Sequence, residues 1–250
     1  MKEFDKLLEY TKAKRPTCSL SNPKHGGLTF VKNEKYIDEL NRLKNVKNLM
    51  VLVPDSLNCN IDNSEIILYR VKDVDIVFTL YQNHVYKDFD PSEFDIIHET
   101  AVIHPSVVIG VDGIKVAMHN GTKILFKHTG NVVIEEGVNI FANAVIHRAR
   151  LDSTIIKKGT IIGALTNVAH NVTIGQNCIL TTNISIGGSA KIGNNCWVGM
   201  GAIIRNGVTI CDDVVIGMGS VVTKDINKPG FYAGNPAKFL KEFRPDQRGF

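Results

Sequence analysis

Residues 162–204 read IGALTNVAHNVTIGQNCILTTNISIGGSAKIGNNCWVGMGAII. An aliphatic residue returns there every six positions, at Ile162, Val168, Ile174, Leu180, Ile186, Ile192, Val198 and Ile204. The series reaches back to Ile156 and on through Ile210, Ile216 and Val222, twelve positions without a miss in a chain that is 44% hydrophobic, so chance does not account for it. Gly often follows the aliphatic residue, at 163, 175, 187, 193, 199 and 217. The residue four further on is mostly small or β-branched, as at Thr160, Thr166, Val172, Cys178, Ala190 and Cys196.

A period of six fits neither the 3.6-residue turn of a helix nor the alternation of a single strand. It predicts a coil of three short parallel strands, in which each hexad forms one flat face and a corner and 18 residues close a triangular layer. Aliphatic residues fill the axis, small residues fit the crowded interior, and the glycines are expected to permit the corners. Layers then stack at about 4.8 Å. The same period recurs in other frames at Ile97, Ile103 and Ile109, and at Ile134, Ile140 and Ile146. The frame slips predict a loop or hairpin at residues 111–131 and a smaller irregularity in HRARLDSTI, residues 147–155. Insertions in a solenoid map to one face, where sites are usually built.

Residues 1–91 lack hexads. Helix-like periodicity in KYIDELNRLKNVKN and strand-like runs at 49–53, 65–71 and 74–81 (VDIVFTLY) predict a small α/β domain there. The β-helix is expected over 92–225, and a loop with a short C-terminal helix, from KFLKEF, over 226–250. The fold class is therefore mainly β, a parallel β-helix with an N-terminal α/β domain.

A net charge of +4, from 29 basic and 25 acidic residues, is too even for a dedicated nucleic-acid binder, though it tolerates anionic small molecules. The N-terminal MKEFDKLLEYTKAKRP lacks the apolar run of a signal peptide, and no stretch of about 18 apolar residues offers a membrane span. A cytoplasmic protein is expected. Five cysteines without a CxxC pair suggest neither a disulfide framework nor a zinc ribbon, and Cys178 and Cys196, 18 apart, should stack as thiols on one interior column. The sequons at Asn171 and Asn183 read as accidents of composition.

The stretch NVVIEEGVNIFANAVIHRARLDSTII, with NVAHNVTIGQN and GGSAKIGNNCWVGMGA after it, resembles the lipid A precursor N-acyltransferases, which acylate the amine of a UDP-linked aminosugar. LTFVKNEKY, residues 28–36, is similar to that family's uridine-binding segment. FYAGNPAKFL, residues 231–240, instead resembles the closing segment of acetyl-CoA-dependent hexapeptide transferases. The mixture is similar to nucleotide-sugar N-acyltransferases that use acyl-CoA. The resemblance implies a left-handed β-helix, a homotrimer with sites between subunits, a dTDP- or UDP-linked aminosugar as acceptor, acyl-CoA as co-substrate and no permanently bound cofactor. The rivals are a lipid A pathway UDP-3-O-acylglucosamine N-acyltransferase fed by acyl carrier protein, and a non-catalytic nucleotide-sugar-binding scaffold.

Acyl transfer to an amine needs a base, an oxyanion donor and two held substrates. His170, third in its hexad, should face outward, and the resemblance makes it the base. Gly188, 18 residues on, stacks one layer above it; its N–H is the oxyanion donor in the functional reading, and Gly187–Gly188 merely turn a corner in the plain one. His147, 23 residues before His170, replaces an acidic residue of the family; it orients the acceptor, carries a second proton or is structural. Arg148 and Asp152 fit an exposed ion pair equally well. Phe30 and Tyr36 flank Asn33, two aromatics and an amide able to hold a pyrimidine, a role the resemblance places there. Lys224, Asn235, Pro236 and Lys238, with Lys228 nearby, are candidates for CoA. No metal is expected, because VAHNVTIGQN holds no second histidine at ligand spacing.

Overall fold

The computed structural model describes residues 2–11 and 15–242. Contacts divide the chain into two compact units, residues 1–89 with 114–127, and residues 90–113 with 128–250. Residues 114–127, expected within the β-helix, thus group with the first unit.

In the first unit, β1 (Leu28–Phe30), β2 (Leu49–Pro54) and β3 (Ile66–Val71) form a parallel sheet in that order. The central strand is buried from Leu49 to Val53, so its near-continuous apolar run suits a sheet covered on both faces. Helix α1 spans Lys2–Thr11 and α2 spans Ile37–Arg42. VDIVFTLY is not the expected strand. It opens α3, Val74–Val85, because Asp73 caps the helix by accepting the Ile76 N–H at 3.1 Å and Val74, Val77, Phe78 and Tyr81 are buried on one stripe. The β-branched residues mimic a strand, and the cap with the helical spacing prevails. The insertion is a hairpin, Val116–His119 with Thr122–Leu125. Its base is tied to α3 by the Asn83 side chain, which donates to Leu125 O at 2.8 Å and accepts from the Lys127 N–H at 2.9 Å.

The second unit is a three-faced parallel β-helix. The first face stacks Ile96–Ile97, Asn131–Ile134, Ser153–Ile156, Thr173–Ile174, Lys191–Ile192 and Thr209–Ile210. The third face, which carries the site, stacks Val108–Val111, Val145–His147, Asn167–Val168, Ser185–Ile186, Ile203–Ile204 and Val221–Val222. Regular layers pair residues 18 apart, as Val168 with Ile186; Ile146 pairs with Val168, 22 on, and Ile109 with Ile146, 37 on. Both predicted irregularities are therefore real, and both leave the third face at the same corner.

The axis is aliphatic throughout: Ile156, Ile162, Val168, Ile174, Leu180 and Val198 are wholly buried. The fifth-position residues Thr160, Val172, Cys178, Ala190 and Ala202 are equally buried. A buried hydroxyl needs partners, and Thr160 Oγ1 donates to Gly175 O at 2.7 Å and accepts from the Cys178 N–H at 3.1 Å. Cys178 and Cys196 stack as reduced thiols, and the neighbouring Cys178 thiol together with burial pushes the Cys196 thiol far up, keeping it neutral.

The corners are not made by the expected glycines. The left-handed residue lies three after each aliphatic one, at Gly159, Leu165, Asn171, Asn177, Asn183, Ser189, Asn195, Gly201, Gly207, Asp213 and Gly219. Asn and Asp tolerate positive φ better than other non-glycine residues, which accounts for the Asn-rich column and for both sequons. The glycine directly after the aliphatic residue answers to close stacking: a Cβ on Gly175 would lie 2.4 Å from the Gly193 carbonyl.

Gly230–Ala233 and Lys238–Lys241 close the described chain as an antiparallel hairpin. KFLK is thus a strand where a helix was expected, and residues 243–250 lie outside the described residues. Phe231 and Tyr232 pair in parallel with Val215 and Ile216, so the segment caps the last coil by extending its sheet. No described helix is long and apolar enough to cross a membrane.

Candidate active site

The corner that follows the third face carries the site over four successive layers. In the first layer it holds the turn Gly110–Gly113 and the return at His128. The second holds His147 to Asp152, the third His170 and Asn171, and the fourth Gly187 to Ser189.

His170 sits just before the left-handed Asn171, so its ring leaves the axis and lies half-buried at the corner, as its place in the hexad predicts. The Asn171 side-chain oxygen accepts the Arg150 N–H at 2.9 Å. That donor identifies the atom as oxygen, and His170 Nδ1, 3.1 Å from it, must therefore donate. Neutral His170 consequently carries its proton on Nδ1 and a lone pair on Nε2, the arrangement a general base needs. Burial depresses the pKa of His170, opposed by the Asn171 hydrogen bond and reinforced by the positive charges of Arg150 and His147.

Gly188 lies against this ring. A Cβ there would stand 2.6 Å from His170 Cε1 and 2.7 Å from Nε2. The corner itself is turned by Ser189, at φ +62°, whose N–H donates to His170 O at 2.9 Å. Gly188 is thus glycine because of the imidazole.

His147 occupies the outward side of the preceding layer. Its Nδ1 lies 3.2 Å from Asp112 O and its Nε2 lies 3.0 Å from Asn167 Oδ1. A carbonyl only accepts, so Nδ1 carries a proton. Arg148 is not half of an exposed pair with Asp152. It is 6% exposed, donates from Nε to Gly110 O, and pairs with Asp112 at 3.4 Å.

Three residues of this corner escaped sequence reasoning. Asp112 and Gly113 open the insertion, and His128, wholly buried, closes it with its ring 5.6 Å from that of His170. Only the return of the chain to the β-helix brings them to His170; the one available signal was the DG pair at the frame slip.

In the first unit, Asn33 lines a cleft of about 460 Å³ with Lys32, Glu34, Lys35, Ser56 and Leu57. Phe30 is half-buried and packs inward on Phe78, centroids 4.8 Å apart, whereas Tyr36 is exposed beneath the Lys35 ammonium, 4.7 Å from its ring centre. Lys224, Asn235, Pro236 and Lys238 are all exposed at the closing end of the β-helix. Among the described residues no three His, Cys, Asp or Glu side chains are grouped to hold a metal ion.

The three-faced coil of hexads has the left-handed β-helix fold. Residues 189–224 match the family model described as bacterial transferase hexapeptide (six repeats). The chain is 35% identical over 143 residues to the UDP-3-O-acylglucosamine N-acyltransferase of Methylococcus capsulatus, a match covering 57% of this chain and 40% of that protein. It is 46% identical over 84 residues to the enzyme of the same name from Campylobacter jejuni, covering 33% of this chain and 26% of that one. The matches thus span less than half the length of these relatives. A crystal structure of a UDP-N-acetylglucosamine acyltransferase shares the fold, with a TM-score of 0.52 over 91% of this chain and 72% of that one at 16% identity.

Proposed function

We propose that the chain is an N-acyltransferase that moves an acyl group from a thioester to the amine of a nucleotide-linked aminosugar. The observation that carries this reading is a histidine with Nδ1 committed to Asn171 and its Cε1–Nε2 edge set against Gly188, where a Cβ would stand 2.6 and 2.7 Å from those two atoms. The amine nitrogen attacks the thioester carbonyl while His170 Nε2 takes its proton. A C–N bond forms, the Gly188 N–H faces the oxyanion, the C–S bond breaks, and the proton passes to the leaving thiolate. His147, held by Asp112 and Asn167, orients the acceptor beside the base. Asn33, on the cleft, and the exposed Tyr36 bind the nucleotide, with Phe30, packed on Phe78, as the interior aromatic of the set.

For the acceptor, the names of the curated relatives support a UDP-linked aminosugar. For the donor, they support the acyl carrier protein that resemblance to the lipid A enzymes implies. The Gly234–Lys238 turn speaks for CoA less strongly than its sequence suggests, because its backbone is engaged in closing the last coil. Gly234 N–H donates to Ser220 Oγ at 3.1 Å, Gly234 O accepts from Val221 N–H at 3.0 Å, and Ala237 N–H donates to Val221 O at 2.8 Å. Acyl-CoA remains a second reading, favoured by the exposed Lys224, Lys228 and Lys238 around Asn235 and Pro236. A homotrimer accompanies either reading. The exposed ridge of Phe141, Leu165, Met200 and Met218 offers apolar surface to bury against another copy.

The test is a panel of UDP- and dTDP-aminosugars offered with short acyl-CoA or with acyl carrier protein thioesters, followed by thiol release and product mass. Transfer that His170→Ala abolishes supports the reading. Nucleotide-sugar binding without transfer from any donor would instead identify a binding scaffold.

A further inference from the structure

The strongest cluster outside the residues already given a role lies at the mouth of the insertion. Asp112 makes contacts in three directions. Its carboxylate pairs with Arg148 Nε at 3.4 Å and accepts the His128 N–H at 3.4 Å, while its carbonyl accepts from His147 Nδ1 at 3.2 Å. Arg148 secures the same turn twice more, through Nε to Gly110 O and through its own N–H to Val111 O at 3.0 Å. The next residue, Gly113, is wedged between two imidazoles: a Cβ there would lie 2.9 Å from His170 Cδ2 and 3.2 Å from His128 Nε2. The His170 ring is therefore confined by Gly188 on one side and Gly113 on the other.

We infer that Asp112 is a positioning residue for the transfer reaction, holding the 110–113 turn so that Gly113 backs His170 while its own carbonyl sets His147. This rests on the proposed function for its catalytic meaning, though the geometry stands without it. The physical argument is one of confinement. A base must be held within a few tenths of an ångström of its productive place, and a displacement of about 1 Å can cost about 10²-fold in rate. Neither Asn171 nor Gly188 prevents the ring from swinging toward the insertion; Gly113 does, and Asp112 with Arg148 anchors Gly113 to the coil. The turn also keeps water from that side of the ring, in keeping with the burial that depresses the His170 pKa. The charged and titratable groups facing that ring are Arg150, His147 and His128.

The experiment uses the full chain with Asp112→Ala, Asp112→Asn and Gly113→Ala. Two readouts are taken: steady-state kinetics with the best acceptor and donor, and the NMR titration of the His170 and His147 ring protons. For Asp112→Ala, kcat is expected to fall about 10²-fold with acceptor KM changed less than about threefold. The His170 midpoint should move up toward that of an exposed histidine. Asp112→Asn, which keeps an acceptor oxygen for the His128 N–H, should recover part of both. Gly113→Ala leaves the Arg148 pair intact and displaces the ring directly, so it should lower kcat even if Asp112→Ala folds poorly. Wild-type kcat and an unmoved His170 midpoint in folded Asp112→Ala and Gly113→Ala would overturn the inference. If the wild type transfers no acyl group but the His170 midpoint still moves, the positioning geometry holds and the proposed function fails.

Discussion

Gly188 and His170, one coil apart, touch so closely that a methyl group on Gly188 would stand 2.7 Å from the imidazole Nε2. Only a residue without a side chain fits beside this ring, and the proposed acyl transfer uses that closeness to set an N–H donor near the lone pair.

Gly188→Ala must therefore displace the ring or the coil. On the proposed role of Gly188 as oxyanion donor, kcat is expected to fall by about 10²- to 10³-fold. Steady-state kinetics read the loss, and unchanged activity would show that the contact has no part in turnover.

His170→Ala removes the proposed base. A drop of about 10²- to 10⁴-fold in kcat is expected, with nucleotide-sugar affinity measured by calorimetry unchanged. Equal weakening of binding would assign His170 to substrate recognition.

The depressed pKa of His170 sets the pH dependence. If His170 is the proposed base, its neutral form is the active one, so kcat/KM should be flat at neutral pH and fall in acid only below the ordinary imidazole value of about 6.5. Linkage has a matching sign: the unfolded state binds the proton more tightly, so this histidine's contribution to stability is complete above the unfolded pKa and is lost as pH falls through the folded one. A rate limb centred above pH 7 would contradict the burial that lowers the pKa.

Asn171→Asp tests the tautomer argument. Asp also accepts positive φ, and its carboxylate can still take the Arg150 N–H and the His170 Nδ1–H. A negative charge beside Nδ1 should raise the His170 pKa and shift the acid limb of kcat/KM to higher pH. An unmoved limb would mean that the Asn171 contact does not govern the base.

Inside the coil, Thr160→Val removes a buried hydroxyl that donates to Gly175 O and accepts from the Cys178 N–H. Two backbone groups are left unsatisfied, and a loss of about 1–3 kcal/mol is expected in denaturant titration. A neutral result would imply that the column carries the strain of a crowded hydroxyl.

The period of six was enough to establish the coil, its frame and the outward place of His170, because a residue's direction in a β-helix follows from its position in the hexad alone. The two frame slips likewise announced the insertions. Propensity misled at Val74–Tyr81, where β-branched residues form α3 under an Asp73 cap, and at Lys238–Lys241, where pairing with Phe231–Ala233 makes a strand of an expected helix. Composition also misassigned the corners, since glycine serves both left-handed turns and close stacking and the sequence does not distinguish them.

What the sequence by itself determined, then, was the axis, the layer height and the outward place of His170, all consequences of local repetition; its reading as a candidate base came from the family resemblance. Only the tertiary structure decided which residues enclose that base. Asp112, Gly113 and His128 belong to an insertion without period, and Arg148 reads as a surface cation until its guanidinium is seen buried against the Gly110 carbonyl. Contacts made across an aperiodic insertion leave no periodic trace, and the packing of the return strand alone brings them to His170.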